Sequence, residues 1–472
     1  MPLLRRSTDA PVLEADVAVV GGGLAGIAAA RAIERGRASA VLLEARERLG
    51  GRLESIPVDD GKWIDVGGQW IGPTQDRVEA LARSLGHDTF PTYTSGENLL
   101  ELGGKLVRYT GTIPRLGPHV LADVGQAMAR LNRMAARVPR EAPWTAPRAQ
   151  QWDSQTAWSW MRRNMATSAG RSMMELAVKA VWAAMPADVS FLHLLFYISS
   201  AGTLELLLDT EGGAQQDRFV EGAQNLAVKA AAELDGEVVL GSPVRRIEHG
   251  SDGVTLRADK ATVNARRVIV AIPPTLAGRI VYDPPLPGFR DQLTQRFPMG
   301  ACVKCMAFYE EPFWRAAGLS GSAVSDPGPL SIVFDNSPPE GSPGIIVGFL
   351  EGRWARQLGR ATEGERRTAV LDNLARLFGS RAASPDRYLE RNWADEEWSR
   401  GCYVGYTPPG VLTAYGPAIR APVGPIHWAG TETATVWNGY MDGALESGER
   451  AAREALAALV PAAVPTEAPV RA

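Results

Sequence analysis

The most specific chemical signal in the sequence is a group of three glycines near its start, Gly21, Gly23 and Gly26. They directly follow an apolar run that predicts a buried strand, and they open a segment of small apolar residues that predicts a helix. Such a loop lets the backbone approach a pyrophosphate closely, and the helix N-terminus offers free N–H groups to that anion. Glu44 lies about 20 residues further on, where a carboxylate can accept hydrogen bonds from ribose hydroxyls. The sequence therefore predicts a dinucleotide-binding βαβ unit.

A lysine in a later apolar run is the second candidate for chemistry. The run 299–309 predicts a strand, in which Lys304 shares a face with Cys302 and Met306. A cation on that face must be paired, must reach solvent along its stem, or must serve a function. The same alternation places Cys302 and Cys305 on opposite faces, which argues against a redox pair of thiols.

The elements that position these residues alternate in character along the chain. The first strands and the helix between them form the βαβ opening, a long helical region follows, and strand signals then resume. This order predicts a nucleotide-binding domain assembled from discontinuous segments, with insertions that form a second domain. Strands are predicted at 16–20, 40–43, 238–240, 244–248, 254–258, 268–272, 302–309, 345–350 and 426–429, and helices at 24–35, across 117–182, around 364–378 and at 439–459.

Composition excludes several classes of protein. Hydrophobic residues make up 45% of the chain and charged residues 22%, which are values typical of a globular protein. A net charge of −3 provides no cationic surface for nucleic acid. No apolar run is long enough to span a membrane, and the start lacks the apolar core of a secretory leader. Because the three cysteines are too few for a disulfide framework, we expect a cytoplasmic protein. The five histidines have no metal-ligand spacing, so no metal is expected.

Four stretches together resemble the flavin-containing amine oxidases, the monoamine oxidase family: 44–52, 65–73, 392–403 and 430–444. The resemblance implies an α/β fold, with a Rossmann-like FAD-binding domain built from discontinuous segments and an α+β substrate domain with a mixed sheet. The implied boundaries are 1–90, 212–290 and 392–460 for the FAD-binding domain, 91–211 (helical) and 291–391 for the substrate domain, and 461–472 for a disordered tail.

The resemblance also implies which residues bind FAD. They come from the glycine loop, from the second glycine pair with its arginine, from the loop at 65–73, and from the C-terminal motifs. The set is Gly21, Gly23, Ala25, Gly26, Glu44, Arg46, Gly51, Arg52, Gly68, Gln69, Trp70, Val244, Trp393, Cys402, Gly430, Thr431 and Met441. Arg52 is expected beside the pyrophosphate, Thr431 at a second helix N-terminus, and Trp393 beside the flavin ring. The match at Cys402 implies a thioether bond to the flavin.

Three further residues match catalytic positions of the family. Tyr403 and Tyr440 correspond to a pair of rings that flank the substrate amine, and Lys304 to a lysine that contacts flavin N5 through a water. The implied reaction is FAD-dependent oxidative deamination of an amine, with O2 as the electron acceptor and H2O2 as a product. A diamine, polyamine or amino-acid oxidase and a non-catalytic dinucleotide-fold binding protein are the alternatives. A homodimer is left open.

The substrate pocket is expected to be apolar. Tyr197, Leu207 and Ile332 are candidate lining residues, and the polar residue of the pocket is either Gln215 or replaced by Ala214. No acid of this region is expected in the pocket, because Glu205 points elsewhere in a regular segment and Asp326 and Asp335 only flank the segment 327–334. A distal ammonium would therefore lack a partner. The sequence favours monoamines with an aromatic or alkyl body.

Overall fold

The computed structural model describes residues 11–58, 61–111, 114 and 116–460. The tail at 461–472, for which disorder was predicted, lies outside these residues. The strands are β1 Val12–Val20, β2 Ala40–Leu43, β3 Ser55–Pro57, β4 Trp63–Asp65, β5 Trp70–Ile71, β6 Thr89–Pro91, β7 Glu97–Leu102, β8 Lys105–Tyr109, β9 Asp217–Phe219, β10 Val238–Val239, β11 Val244–Gly250, β12 Gly253–Ala258, β13 Thr262–Val270, β14 Val281–Asp283, β15 Cys302–Tyr309, β16 Leu319–Ser325, β17 Leu330–Asp335, β18 Gly344–Glu351, β19 Arg387–Asn392 and β20 Ile426–Trp428.

The helices are α1 Leu24–Arg35, α2 Asp76–Ser84, α3 Pro118–Ala135, α4 Ala149–Asp153, α5 Ala157–Asn164, α6 Ser168–Trp182, α7 Phe191–Ala201, α8 Leu204–Leu208, α9 Ala223–Ala231, α10 Pro274–Ala277, α11 Gly288–Gln295, α12 Phe313–Ala316, α13 Arg353–Leu358, α14 Glu363–Phe378, α15 Val411–Tyr415 and α16 Met441–Leu459. Short 3-10 turns lie at Pro143–Thr145, Ser380–Ala383, Gly416–Ile419 and Thr431–Thr433.

The first sheet carries the predicted βαβ opening. Its strand order is β10-β2-β1-β13-β12-β11-β14, and β20 pairs with β13. Strands β10, β2, β1, β13 and β20 run parallel, and β12 is antiparallel to both of its neighbours. Helix α1 consists largely of small residues and packs closely on α16, where a Cβ on Gly448 would lie 2.1 Å from the Ala25 carbonyl oxygen. The glycine loop connects β1 to α1 and therefore lies at the carboxyl end of β1.

The second sheet has the order β19-β15-β18-β17-β16-β7-β8. All of its paired strands are antiparallel except β16 and β7, so the sheet is mixed. Every residue of β15 and β18 is buried, because helices cover one face and the cleft region covers the other. The predicted bounds of β15 are correct. The sequence did not single out β16, β17 or β19, since small or charged residues interrupt their apolar pattern.

A layer of helices lies next to the second sheet and covers the cleft. Helices α3 to α8 pack around an apolar cluster that includes Trp152, Trp160 and Trp182. Helix α7 is buried along its whole length and is capped by Ser190, whose hydroxyl accepts from the N–H groups of Leu192 and His193. None of the described helices is both long and apolar enough to cross a bilayer. The described residues also hold no cluster of side chains suited to a metal ion.

Candidate active site

A single cleft collects most of the residues that the sequence predicted. One end is formed by the glycine loop of the first sheet, and the other by aromatic and aliphatic side chains of the second sheet and the helical layer. The predicted residues that line it are Gly21, Gly23, Ala25, Glu44, Arg46, Gly51, Arg52, Gly68, Gln69, Trp70, Val244, Cys402, Gly430, Thr431 and Met441, together with Tyr197, Leu207, Gln215, Ile332, Tyr403 and Tyr440. Gly26, Lys304 and Trp393 lie outside this lining.

The three glycines of the loop have different physical tasks. Gly21 has a φ of +108°, and a Cβ there would lie 2.9 Å from the Ala271 carbonyl oxygen. A Cβ on Gly26 would lie only 1.8 Å from the carbonyl oxygen of Gly21. Gly23 differs, because the nearest atom to its Cβ would be 3.9 Å away, across open space. Gly21 and Gly26 therefore serve the tight turn, whereas Gly23 leaves room in the cleft itself.

This loop has the shape and the donors that a pyrophosphate needs. Gly23 is the N-cap of α1, and no side chain caps the helix there. The helix N-terminus therefore presents backbone N–H groups and the positive end of its dipole to the space beside Gly23. The residues present fit the phosphates of a dinucleotide.

Glu44 is buried at the end of β2 and organises the loop from inside. Its two carboxylate oxygens accept from the N–H groups of Gly22, at 2.6 Å, and Arg46, at 2.8 Å. Each oxygen retains a further lone pair, so a ribose hydroxyl has an acceptor here. The Arg46 side chain donates to Ser399 Oγ at 2.8 Å and forms a 3.3 Å ion pair with Glu396, which ties this end of the cleft to the segment after β19.

Arg52 joins the two ends of the cleft. Its guanidinium donates to both carboxylate oxygens of Glu432, at 2.7 and 3.1 Å, and to the Tyr403 carbonyl oxygen at 2.8 Å. Burial acts to lower the pKa of Arg52, but the Glu432 carboxylate holds that pKa above its ordinary value. The arginine expected beside a pyrophosphate therefore also anchors the backbone of a predicted substrate-binding tyrosine.

The helix predicted at 439–459 is confirmed to within two residues, but Thr431, expected at its N-terminus, lies in a turn before it. A 3-10 turn spans Thr431–Thr433, and α16 begins only at Met441. The side-chain amide of Asn438 donates to the carbonyls of Glu432 and Ala434, which holds the intervening segment as a loop. The Thr431 hydroxyl donates to the Tyr440 carbonyl oxygen at 2.9 Å and accepts from the Gly439 N–H at 2.8 Å. The N-terminus that reaches the cleft is that of α16, through Met441.

Lys304 is buried behind the aromatic end of the cleft, close to the rings of Trp70 and Phe349, with 2% of its surface exposed. Its ammonium group donates to the Gly67 carbonyl oxygen at 2.9 Å and to the side-chain oxygen of Gln69. Gln69 in turn donates to Asn336, which also accepts from Arg218. Burial lowers the pKa of Lys304 to about 8, and Asp65 partly opposes this shift. The lysine is therefore a buried cation fixed by two acceptors, and one of these, Gln69, lines the cleft.

The alternation predicted for β15 is confirmed by the packing of its cysteines. Cys302 and Met306 belong to the apolar cluster on the cleft side, together with Cys402, whereas Cys305 packs on the opposite face. All three thiols are free. Burial raises the pKa of the Cys402 thiol to about 12, and the charges of Arg52 and Lys304 act in the other direction. The peptide between Cys402 and Tyr403 is cis.

Trp393 lies in the core rather than in the lining of the cleft. Its indole N–H donates to the Val66 carbonyl oxygen at 3.0 Å, and it packs in the same cluster as Cys302 and Cys402. It thus supports the wall behind Cys402. Contact between Trp393 and a flavin ring stays a prediction.

The far end of the cleft is aromatic. Tyr403 packs edge-on against Phe349, with centroids 5.8 Å apart, and the Tyr440 ring lies 6.1 Å from that of Tyr197. A Cβ on Gly439 would lie 2.2 Å from the Tyr197 hydroxyl oxygen, so this glycine makes room for that side chain. Burial raises the pKa of both Tyr403 and Tyr440, which keeps their hydroxyls neutral.

The polar residue of this end is Gln215. Both Ala214 and Gln215 line the cleft, and of the two only Gln215 has a polar side chain. The Gln215 side chain donates to the Leu207 carbonyl oxygen at 3.3 Å. Its own amide oxygen is buried and has no hydrogen-bond partner among the described residues. An acceptor is therefore available in an otherwise apolar wall.

Two acids near this end turn away, as expected for Glu205. Its carboxylate accepts from Asn132 at 2.8 Å, on α3. The Asp326 carboxylate accepts from the Gly103 N–H at 3.1 Å, at the turn between β7 and β8. Among the described residues, the acids that line the cleft are Glu44 and Glu397, and Glu397 lies in the segment that Arg46 contacts. The aromatic end therefore carries no carboxylate in its lining.

Sequence reasoning missed Glu351, Phe349 and Glu432. Phe349 lines the cleft, Glu432 pairs with Arg52, and Glu351 accepts from the Tyr403 hydroxyl at 2.9 Å. The signal for Glu351 was available, because this acid ends an otherwise apolar run at 344–350. Glu432 gave no comparable signal, since its partner lies 380 residues away in sequence.

Comparison with known proteins decides the family. Residues 24–456 match the model of the family described as flavin containing amine oxidoreductase. The chain belongs to this family. It is 42% identical over 442 residues to a protein of Dictyostelium discoideum named "Probable flavin-containing monoamine oxidase A", an alignment that covers 93% of this chain and 97% of that protein.

Two solved structures of flavin amine oxidases are similar over nearly the whole chain. Putrescine oxidase, in a structure with bound putrescine, has a TM-score of 0.92 and 34% identity, and the match covers 95% of this chain and 100% of that one. Cyclohexylamine oxidase from Brevibacterium oxydans has a TM-score of 0.89 and 33% identity, with 94% and 99% covered. The protein is an FAD-dependent amine oxidoreductase, and its fold is the predicted Rossmann-like FAD-binding unit with a mixed-sheet substrate unit.

Proposed function

We propose that the protein oxidises a monoamine with an aromatic or alkyl body to an aldehyde, with release of ammonia and H2O2. The observation that carries this proposal is the composition of the aromatic end, which is lined by Trp70, Tyr197, Phe334 and Phe349 and by no acid among the described residues. A second ammonium group would be desolvated there without a partner, and the free energy of this desolvation is roughly several kcal/mol unfavourable. An apolar body instead gains from the burial of its surface.

Bound FAD supplies the two-electron acceptor for the amine and passes those electrons on to O2. The residues of the chain bind and orient the substrate. Tyr403 and Tyr440 offer ring faces to the amine, which favours a defined approach of its α-carbon. Because their hydroxyls are neutral, these two tyrosines place no negative charge in the space between their rings, which we call the amine slot. The amine therefore binds productively in its neutral form.

We infer that Lys304 assists the reaction with O2. It is a cation held by Gly67 and Gln69, and a positive charge at this depth favours the transfer of negative charge to oxygen. No acid or histidine lies within ion-pair distance of it among the described residues, so its charge is not neutralised locally.

We also infer that FAD is attached through Cys402 by a thioether bond. This thiol lines the cleft, and although burial raises its pKa to about 12, the charges of Arg52 and Lys304 act to lower that pKa and so favour the thiolate. Acid-precipitated protein should remain yellow, and the peptide that contains Cys402 should gain the mass of the flavin. The matched variant Cys402→Ser should still bind FAD but release it on denaturation. Complete release from the native sequence would contradict the attachment.

A diamine is the second candidate substrate, because putrescine oxidase is similar over nearly the whole chain. The missing carboxylate at the aromatic end argues against it. The test is anaerobic mixing of the purified yellow protein with 2-phenylethylamine, followed by readmission of O2. We expect bleaching of the flavin absorbance and then one H2O2 per aldehyde. Bleaching by putrescine alone would overturn the proposal.

A further inference from the structure

A carboxyl group is buried directly behind one wall of the amine slot. Glu351 ends β18 and is 0% exposed. One of its oxygens accepts from the Tyr403 hydroxyl at 2.9 Å. Tyr403 lines the cleft, whereas Glu351 does not, so the carboxyl group can act on a substrate only through this tyrosine.

The contacts of Glu351 do not compensate for the cost of burying its carboxyl group. Its second oxygen has no hydrogen-bond partner among the described residues, and no cation of this set lies within 4.0 Å of it. Three groups of the described residues face it. They are Cys302, which pairs with Glu351 from the neighbouring strand β15, the Ser331 hydroxyl on β17, and Lys179 on α6. Lys179 itself pairs with Glu175 at 3.8 Å. Burial raises the pKa of Glu351 to about 7, while Tyr403 and Lys179 act to lower it.

The two tyrosines of the slot are held very differently. Tyr403 is fixed at its carbonyl by Arg52, at its ring by Phe349 and at its hydroxyl by Glu351. The Tyr440 hydroxyl makes no hydrogen bond with any described residue, although its ring packs on Trp437 with centroids 4.9 Å apart. A single wall of the slot is therefore fixed by a titratable group.

We propose that Glu351 is a positioning residue for amine oxidation, which holds the Tyr403 ring in place and whose ionisation strengthens that hold. The proposal rests on the function proposed above. A carboxylate makes a stronger, charge-assisted bond to a tyrosine hydroxyl than a carboxylic acid does. The rate of flavin reduction at saturating amine should therefore rise as Glu351 loses its proton, near neutral pH.

The test measures that rate by anaerobic stopped flow, against pH, in four variants: Glu351→Gln, Glu351→Leu, Tyr403→Phe and the double variant Tyr403→Phe/Glu351→Leu. Loss of a bond to a charged group predicts a decrease of roughly tenfold in Glu351→Leu. Glu351→Gln, which keeps an acceptor, should recover part of the rate and lose the ionisation near pH 7. In the Tyr403→Phe background, Glu351→Leu should cause no further loss.

Two results would overturn the proposal. One is survival of the ionisation in Glu351→Gln, and the other is an equal loss from Glu351→Leu with and without the Tyr403 hydroxyl, which would show a general packing role. Glu205→Gln is the matched control, because that carboxylate is bonded to Asn132 outside the cleft. If Glu351→Leu does not fold, the pH profile of Glu351→Gln alone tests the proposal. Absence of any amine oxidation would instead refute the proposed function.

Discussion

The glycine-loop end and the aromatic end of the cleft are built from different parts of the peptide. At the glycine-loop end, backbone N–H groups and missing Cβ atoms form the site, and Gly21, Gly23, Gly26 and Glu44 lie within one βαβ unit. At the aromatic end, side chains form the site, and they come from strands and helices far apart in sequence, such as Tyr197 and Phe349.

The difference shows in where charge is placed. Glu44 has both oxygens bonded to backbone N–H groups, so its charge serves the local loop. Lys304 and Glu351 are buried behind the aromatic end with incomplete compensation, and burial shifts the pKa of each toward neutral pH. The glycine-loop end is thus formed by backbone geometry, whereas the aromatic end is backed by buried charges whose desolvation is costly.

The largest effect is expected at the glycine-loop end, from Gly26→Ala. The added Cβ would lie 1.8 Å from the Gly21 carbonyl oxygen, so the backbone must move. We expect a loss of about 3 kcal/mol in the free energy of unfolding, or failure to fold. Denaturant unfolding monitored by circular dichroism measures this change.

Gly23→Ala is the matched control for that variant. Its Cβ would meet nothing closer than 3.9 Å, and its φ of −80° suits alanine. The apoprotein should unfold at the same denaturant concentration as the native sequence, while the affinity for FAD falls. Equal destabilisation by the two substitutions would show that Gly23 serves the turn rather than the ligand.

A kinetic effect is expected at the aromatic end from Lys304→Met. Removal of the cation should slow reoxidation of the reduced flavin by O2 by roughly tenfold, with flavin reduction by amine changed less. In the native sequence, the oxidation rate should fall as pH rises through about 8, where Lys304 loses its charge. Stopped-flow oxidation measures both effects, and an unchanged oxidative rate in Lys304→Met would contradict the role.

The same lysine gives a stability prediction with a definite sign. Its pKa is about 8 in the folded protein and near 10.5 in the unfolded chain, so between these values the unfolded chain binds more protons. The contribution of Lys304 to stability therefore rises with pH across this window. Between pH 8 and pH 10, the melting temperature of Lys304→Met should rise less, or fall more, than that of the native sequence.

The smallest effect is expected from Glu205→Gln. This acid contacts Asn132 on α3 and does not line the cleft. The substitution should change kcat/KM for a monoamine and for putrescine by less than about twofold, and weaken folding by about 1 kcal/mol. A selective loss of putrescine oxidation would place Glu205 in the substrate path and would break the distinction between the two ends.

The sequence predicted the glycine-loop end better than the aromatic end for a physical reason. A βαβ unit is local, so the spacing of Gly21, Gly26 and Glu44 already determines their relative places. Lys304 was placed correctly relative to Cys302 and Met306 because alternation along a strand is also local.

Long-range partners could not be read in the same way. Glu432 pairs with Arg52 and Glu351 with Tyr403 across separate elements, and no sequence period links them. The bonds from Asn438 to Glu432 and Ala434, which hold the loop before α16, likewise have no sequence signal of their own. Side-chain pairs between distant segments require the structure.

The measurement that tests the central claim most directly is kcat/KM for four compounds under identical conditions: 2-phenylethylamine, a linear alkylamine, putrescine and phenylalanine, each followed by H2O2 release. An aromatic end without a carboxylate in its lining predicts that the two monoamines are the best substrates and that putrescine and the amino acid are at least about a hundredfold poorer, from the cost of desolvating an unpaired charge. Putrescine as the best substrate would contradict the account.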